Sequence, residues 1–181
     1  MLSPSSMEIS ASWPLTSPPV IPSFVSDEGW LTVGDLKQAV YCPRIPYFLR
    51  VLGLKPPATF LMQDGERQEL VFTQRQKRHR VTRFRLPSGI RCPRVMVRSA
   101  RLRLSGTIDL VIEGDVELIV VDFKAGRKAA WDNHRVQLAA YALLAEERFG
   151  KPCQRGYILY REQGHWGEIA VDELLRKRTM E

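Results

Sequence analysis

The feature that most constrains this chain is a short apolar run that ends at a charged residue. Leu118-Ile119-Val120-Val121 is uninterrupted, and Asp122 follows at once. Consecutive aliphatic residues without alternation are typical of a strand that is buried on both faces. The run therefore predicts the central strand of a sheet, extending from Glu117 to Lys124.

The neighbouring segments predict a small mixed α/β domain around this strand. Thr107–Ile112 is predicted as a strand that leads into it through the hairpin signal Glu113-Gly114-Asp115. Val95–Leu104 alternates as a strand with one solvated, basic face. Asp132–Phe149 has helical periodicity and is followed by Gly150, a frequent helix stop.

Further elements are predicted on either side. Thr32 is placed to cap a helix that runs toward Tyr41, and Asp35 can return the capping hydrogen bond. The apolar face of this helix is predicted to consist of Leu36, Val40 and Tyr41. The remaining predictions are a helix over Asp64–His79, strands over Tyr157–Tyr160 and Glu168–Val171, and a short helical end at 172–181.

Length and composition limit the class of protein. The first 29 residues are rich in Ser and Pro and are predicted to be a disordered tail before one domain over residues 30–181. No stretch approaches the roughly 18 apolar residues that span a bilayer, so a membrane helix is not expected. Three widely spaced cysteines favour the reducing cytoplasm over a disulfide-bonded secreted fold.

The net charge of +7 is unevenly distributed. The segment from Arg67 to Arg103 contains twelve basic residues and one acidic residue, so the rest of the chain is net acidic. Such a cluster is typical of a surface that binds a polyanion, and arginine matches phosphate geometry. A solvated, solubilising face is the alternative. The candidates for DNA binding are Arg75, Lys77, Arg78, Arg80, Arg98, Arg101 and Arg103.

Charged residues converge at the end of the central strand. Asp122 follows four apolar residues, where an unpaired carboxylate is costly. Asp122 and Lys124 are two residues apart and point the same way, while Asp109 comes from the strand that pairs through the hairpin. Two carboxylates suit Mg²⁺ or Mn²⁺ and leave positions for water and a phosphate oxygen. The set predicts a metal site that splits a phosphodiester.

A purely structural interpretation of these residues stays open. Asp122 and Lys124 would then form a buried salt bridge, and Asp109 would cap a turn. Gln137 and Tyr141 lie four residues apart on one face of the following helix, so both can face a substrate. Tyr141 is equally compatible with a core position whose hydroxyl reaches the rim.

Three motifs stand in a fixed order, namely Gly106-x-x-Asp109, Asp122-x-Lys124 and Gln137-x-x-x-Tyr141. Together they resemble the RecB-type branch of the PD-(D/E)XK nucleases. More narrowly, Leu31-Thr32-Val33 with Tyr41-Cys42-Pro43-Arg44, and the later run from Tyr141 to Glu147, look like the CRISPR-associated RecB-like exonucleases, the fourth named family of Cas proteins. The resemblance covers about residues 31–171.

This resemblance implies a restriction-endonuclease-like fold with a mixed central sheet flanked by helices. It assigns Asp109 and Asp122 as ligands of Mg²⁺ or Mn²⁺, the Phe123 carbonyl as a further ligand, Lys124 as the catalytic lysine, and Gln137 and Tyr141 as supports of DNA and the lysine. The implied activity is cleavage of DNA with single-stranded ends, which trims fragments before they are integrated into a CRISPR array. The implied partners are DNA and the CRISPR integrase proteins.

Two parts of the family pattern are matched incompletely. Members usually place a metal-binding His on a helix after a glycine; the segment after Gly65 has no His, and Glu69 is the nearest substitute. Members also usually bind a 4Fe-4S cluster through one early cysteine and three near the C-terminus. Cys42 matches the first, but neither Cys92 nor Cys153 has the clustered spacing of the other three.

The leading hypothesis is a metal-dependent DNA exonuclease of CRISPR adaptation, with the Arg67 to Arg103 segment guiding the strand. Two alternatives stay open. One is a non-catalytic DNA-binding or scaffold subunit of the adaptation complex, and the other is a RecB-like nuclease of phage or DNA-repair origin.

Overall fold

The computed structural model describes residues 29–54, 86–124, 132–160 and 165–181, and these form one mixed sheet with helices packed against it. The strands are β1 (Leu31–Thr32), β2 (Ile90–Ser99), β3 (Leu104–Glu113), β4 (Leu118–Lys124), β5 (Arg155–Tyr160) and β6 (His165–Ala170). The helices are α1 (Val33–Tyr41), α2 (Arg44–Pro46), α3 (Asp132–Phe149) and α4 (Glu173–Met180), and a π-helical turn covers Tyr47–Val51. The predicted α/β fold with a mixed sheet is confirmed.

Strand β4 is the centre of this sheet, as its apolar run predicts. It pairs antiparallel with β3 and parallel with β5, and β6 continues the sheet beyond β5. The side chains from Leu118 to Val121 are at most 3% exposed. Leu118 and Val120 belong to the core under helix α3, whereas Ile119 and Val121 belong to a second core on the opposite face.

Two strands share one edge of strand β3 and leave a gap between them at residues 106–109, which we call the fork. Strand β2 follows one edge of β3 over almost its whole length. On the other edge, β4 pairs with residues 110–113, and β1 pairs in parallel with Leu104 and Ser105. Between these two partners, residues 106–109 have no described strand on this edge, and helix α1 starts there because it continues directly from β1.

The alternation of side chains along β3 is reset at this fork. Ile108 and Val111 lie three residues apart, yet both belong to the core under α3, while Leu110 belongs to the opposite core. On β2, Arg94 has a left-handed φ of 50° and interrupts the ladder opposite Asp109. Such a φ is uncommon for a residue other than glycine. This break in the β2–β3 ladder lies at the level of Asp109, where β3 and β4 separate.

Helix α1 is fixed at its first turn by the predicted capping box. The Asp35 N–H donates to Thr32 Oγ1 at 3.1 Å, and the Thr32 N–H donates to Asp35 Oδ2 at 2.8 Å. Asp35 also accepts two hydrogen bonds from Arg50, so the helix is tied to the π-helical turn that follows it. Leu36 and Val40 pack against the core as predicted.

Two predictions about this region and β2 are wrong. Tyr41 is 72% exposed and takes no part in the apolar face of α1. The predicted strand Val95–Leu104 is two strands, because β2 ends at Ser99 and β3 begins at Leu104. The turn between them lacks Gly, Pro, Asn and Asp, so the alternating pattern continues through it without a sequence signal. Ser99 Oγ instead accepts the Leu102 N–H and closes the turn.

Other predicted elements agree with the structure or fall outside the described residues. Helix α3 has the predicted limits, and Gly150 follows it with a left-handed φ of 69°. The predicted tail over residues 1–29 and the helix over Asp64–His79 fall outside the described residues, apart from Gly29. In the described ranges, no helix is both long and apolar enough to cross a bilayer.

Helix α4 is held against α3 by a carboxylate–guanidinium pair. Glu146 accepts two hydrogen bonds of 2.7 Å from Arg176 and a third from the Cys153 N–H. Burial alone would raise the pKa of the Glu146 carboxyl, but the Arg176 hydrogen bonds, the Cys153 N–H and the charge of Arg176 bring it below its ordinary value. Charge-assisted bonds of this kind are stronger than neutral ones.

We expect Glu146→Gln to lower the free energy of unfolding at pH 7 by about 1–3 kcal/mol, because it leaves Arg176 without its charged partner. Since folding lowers the pKa of Glu146, its contribution is complete above the ordinary carboxyl pKa of 4.5 and is lost as the pH falls through the lower folded value. Urea unfolding of both proteins from pH 7 to pH 3 should show their stabilities converging. Asp115→Asn, in an exposed turn, is the control and should show no such convergence.

Candidate active site at the fork of the sheet

Asp122 and Lys124 lie on the side of β4 that faces helix α3. They share this face with Val120, whereas Phe123 lies in the opposite core. The Lys124 ammonium is 2.7 Å from Asp122 Oδ2. The two side chains therefore project to the same side, as their spacing predicts, and form the ion pair of the purely structural interpretation.

Gln137 connects this pair to helix α3. The Lys124 ammonium donates to Gln137 Oε1 at 2.7 Å, and Gln137 is 7% exposed. A buried amide in the first half of α3 thus helps to fix the lysine that also contacts Asp122. The structure brings Gln137 to the lysine that the motif associates with it.

Asp109 reaches the same place from β3. Its Oδ2 accepts the Phe123 N–H at 2.7 Å. The regular ladder between the two strands ends at the pair Leu110 and Val121, so Asp109 and Asp122 are the next residues in register at the point where the strands part. The two carboxylates therefore flank the opening of the fork from neighbouring strands.

Tyr141 packs beneath the start of β3. A Cβ atom at Gly106 would lie 2.9 Å from Tyr141 Cε1 and 3.1 Å from Val33 Cγ2. Only a residue without a side chain permits this approach of β3 to α3 and α1. Tyr141 is 8% exposed, in keeping with a core position, and lies one helical turn beyond Gln137.

The acidic groups at the fork are suited to a hard divalent cation. Asp122 is 4% exposed, and its Oδ2 lies 2.7 Å from the Lys124 ammonium but receives no hydrogen bond from the described residues. Carboxylate oxygens are the ligands that Mg²⁺ and Mn²⁺ prefer. Asp109 and Asp122 therefore fit such an ion, although the described residues contain no group of three or more acidic, His or Cys side chains placed to bind one. Glu69, the third predicted acidic ligand, is outside those residues.

The cysteines do not fit an iron–sulfur cluster. The sequence has three cysteines, and all of them are free. Cys42 is the half-buried C-cap of α1, whereas Cys153 is fully buried, and burial raises the pKa of its thiol to about 12. A cluster ligand must be a thiolate, which this environment disfavours. The three cysteines do not supply the four-thiolate set that the family pattern implies.

Three predicted DNA-binding residues lie near the turn between β2 and β3. Arg98, Arg101 and Arg103 are exposed, and the Arg98 guanidinium stacks on the Trp30 ring, 3.8 Å from its centroid. Arg98 also lines an open groove of about 650 Å³, which continues along β3 to Thr107, two residues from Asp109. The predicted candidates Arg75, Lys77, Arg78 and Arg80 lie outside the described residues.

Lys37 is a site residue that sequence reasoning missed. Burial lowers the pKa of its ammonium, the positive charge of Lys124 lowers it further, and the negative charge of Asp122 acts in the opposite direction. Lys37 thus lies within electrostatic reach of the ion pair. The available signal was its spacing, because it stands four residues after Val33, on the face of α1 that also carries Leu36.

The chain is similar to several known nucleases. Residues 65–173 match the PD-(D/E)XK nuclease superfamily. The CRISPR-associated exonuclease Cas4 of Francisella tularensis subsp. novicida is 33% identical over 148 residues, which cover 81% of this chain and 74% of that protein. The protein of the same name from Thermoproteus tenax is 24% identical over 144 residues, covering 78% and 71%.

A further relative carries two activities in its name. The CRISPR-associated exonuclease Cas4/endonuclease Cas1 fusion of Leptospira interrogans is 32% identical over 89 residues. The matched part covers 45% of this chain and 16% of the fusion protein.

Gly106→Ala should disturb the site without changing any of its charged groups. The added Cβ would displace the Tyr141 ring and Val33, and overpacking of this kind costs about 1–3 kcal/mol of unfolding free energy. Thermal unfolding measures the loss. Gly167→Ala is the control, because nothing lies within 4 Å of a Cβ at that position. Equal stability of the two variants would contradict the close packing at Gly106.

Proposed function

Because the chain belongs to the PD-(D/E)XK nuclease superfamily and, within it, to the CRISPR-associated exonuclease Cas4 family, we propose that it is a metal-dependent exonuclease for single-stranded DNA or single-stranded DNA ends. The family and the fold agree with those that the motifs imply. The proposal of a metal-dependent reaction on DNA is supported by the convergence of Asp109, Asp122 and Lys124 at the fork. The substrate and the cofactor are proposals that rest on this arrangement.

Two carboxylates and one backbone group are proposed to hold Mg²⁺ or Mn²⁺. Asp109 and Asp122 supply the charge. In an extended strand the N–H and C=O of one residue point to the same side, and the Phe123 N–H faces Asp109, so the Phe123 carbonyl is available on that side as well. When bound, the ion would polarise the phosphoryl group and lower the pKa of a water.

Lys124 and Gln137 are proposed to act on the substrate from the α3 side. An ammonium placed beside the carboxylates can orient the attacking water and offset the negative charge that develops on the phosphate oxygens. Gln137 Oε1 accepts a hydrogen bond from one N–H of this ammonium, which restricts the directions in which the other two N–H groups point. Gln137 is therefore a positioning residue for Lys124, and Tyr141 is proposed to support the DNA strand nearby.

The DNA strand is proposed to enter along the groove that Arg98 lines. Arg101 and Arg103 extend the positive charge of this surface, and the predicted residues Arg75, Lys77, Arg78 and Arg80 are proposed to continue it. Phosphate contacts of this type bind any sequence and guide the strand to the fork.

The proposed biological role is the trimming of DNA fragments for CRISPR spacer acquisition in the cytoplasm. The Leptospira relative is named as a fusion of exonuclease Cas4 and endonuclease Cas1. Domains fused in one protein commonly act in sequence, so we infer that an integrase protein of the Cas1 type is a partner of this chain. The free cysteines agree with a reducing compartment.

Removal of a proposed ligand should slow turnover strongly. We expect Asp122→Ala, and the isosteric Asp122→Asn, to degrade end-labelled single-stranded DNA in Mn²⁺ about a hundredfold more slowly than the unmodified protein, because one of the two carboxylate ligands is lost. Gel analysis of timed samples measures the rate. Asp115→Ala removes an exposed turn carboxylate and should leave the rate unchanged.

The same assay separates the proposal from the scaffold alternative. Salt-sensitive DNA binding without turnover in either Mg²⁺ or Mn²⁺ would argue for a non-catalytic subunit. Equal rates for the unmodified protein and both Asp122 variants would instead place the chemistry at another site.

The proposed DNA path predicts a change in salt dependence. Loss of one phosphate contact with single-stranded DNA should reduce the slope of log affinity against log salt by about 0.7, and we expect this for Arg98→Ala. Fluorescence anisotropy with a labelled oligonucleotide measures the slope. Arg91→Ala is the control, since Arg91 is exposed on the same strand but pairs with Ile112 at the far end of β3. A loss in both variants would show a diffuse charge effect and no defined path.

A further inference from the structure

Helix α1 carries a charged residue in the stripe that faces the core. Val33 is fully buried, and Leu36 and Val40 pack against the same core. These residues have the spacing i, i+3 and i+7, and Lys37 occupies the i+4 position between them. An apolar side chain would satisfy the packing at this position. A half-buried ammonium there needs another explanation, because burial of a charge is unfavourable.

The surroundings of α1 show where this ammonium lies. Val33 and Tyr141 meet under Gly106, where both approach the same Cβ position within about 3 Å. One turn further along α1 is Lys37, and one turn back along α3 is Gln137. The two helices pack together. Gln137 holds Lys124, and the charges of Lys124 and Asp122 both act on Lys37. Helix α1 thus brings a second ammonium to the fork.

The charges at the fork leave Lys37 available for an anion. Asp122 already has Lys124 at 2.7 Å, and the Asp109 carboxylate faces the Phe123 N–H. Within the described ranges, the Lys37 ammonium forms no ion pair or hydrogen bond. Lys124 repels this second cation and Asp122 attracts it, so negative charge added to the site would stabilise it further.

The first turn of the helix that carries Lys37 is fixed by side-chain hydrogen bonds. The capping box of Thr32 and Asp35 fixes the first turn of α1, and Arg50 binds the same Asp35 carboxylate from the following turn. A binding group on an anchored helix loses side-chain freedom but little main-chain freedom when its ligand arrives.

We propose that Lys37 is a substrate-binding residue of this site, which contacts a phosphate of the DNA strand next to the scissile bond. The proposal rests on the proposed nuclease function and extends it. In this arrangement Lys124 serves the reacting phosphate, while Lys37 determines how far the strand advances into the fork.

The test compares charge with packing at one position. Lys37→Met keeps the length and suits the apolar stripe, Lys37→Arg keeps the charge, and Lys177→Met removes an exposed lysine of α4 as control. Steady-state degradation of a labelled single-stranded oligonucleotide in Mn²⁺ is measured over a range of NaCl concentrations. We expect KM to rise roughly tenfold in Lys37→Met, with a smaller change in kcat, because one charge-assisted contact is lost. The slope of log KM against log salt should become shallower by about 0.7.

Two controls make the outcome decisive. Lys37→Arg should recover KM to within about threefold of the unmodified protein, since it restores the charge, and Lys177→Met should behave as the unmodified protein does. Thermal unfolding of Lys37→Met should be unchanged or raised. Lys37→Gln repeats the measurement with a neutral polar side chain should the methionine variant fold poorly.

Different failures point to different errors. An unchanged KM in Lys37→Met and Lys37→Gln, in an active unmodified protein, would overturn the role of Lys37 alone. A loss in Lys37→Arg as large as that in Lys37→Met would also overturn it, because the charge would not be the cause. An unmodified protein with no turnover in Mg²⁺ or Mn²⁺ would overturn the proposed nuclease function itself, and the role of Lys37 with it.

Discussion

The Lys124 ammonium is the group on which the rest of the site depends. It lies 2.7 Å from Asp122 Oδ2 and donates to Gln137 Oε1 at the same distance. A carboxylate at the end of a buried strand is tolerated only beside a charge partner, and here that partner is held in turn by helix α3. Strand β4 cannot move relative to α3 without breaking the hydrogen bond from Lys124 to Gln137. The charged groups at the end of β4 and the packing of α3 therefore depend on the same lysine.

The fork in β3 makes this buried pair reachable. Had β4 followed β3 along its full length, main-chain hydrogen bonds would have covered the edge on which Asp109 lies. Instead β4 leaves after Leu110, and β1 occupies the edge only at Leu104 and Ser105. The gap admits the first turns of α1 and leaves Asp109 half-buried between two strands. The side-chain alternation of β3 changes at this level, so that Ile108 and Leu110 face opposite cores, and this change accommodates the gap.

Local patterns were sufficient for the elements and for part of the site. The run from Leu118 to Val121 and the periodicity of Asp132–Phe149 identified β4 and α3, because burial on both faces and helical spacing are properties of contiguous residues. Hairpin pairing then placed Asp109 near Asp122. The turn at residues 100–103 was missed because its closing bond comes from a serine side chain. Lys37 was missed because its role depends on a contact between two helices that are distant in the sequence.

The parallel pairing of β1 with β3 joins residues far apart in the sequence, since Leu31 pairs with Leu104 and Thr32 with Ser105. The β2–β3 and β3–β4 hairpins close over only a few residues. Closing a longer loop costs more chain entropy, so the N-terminal strand and its helix are held to the sheet at a greater entropic disadvantage than the hairpins are. This part of the sheet also has the shortest strand. The segment that completes the site is thus the one best placed for local opening, while the core of the sheet remains folded.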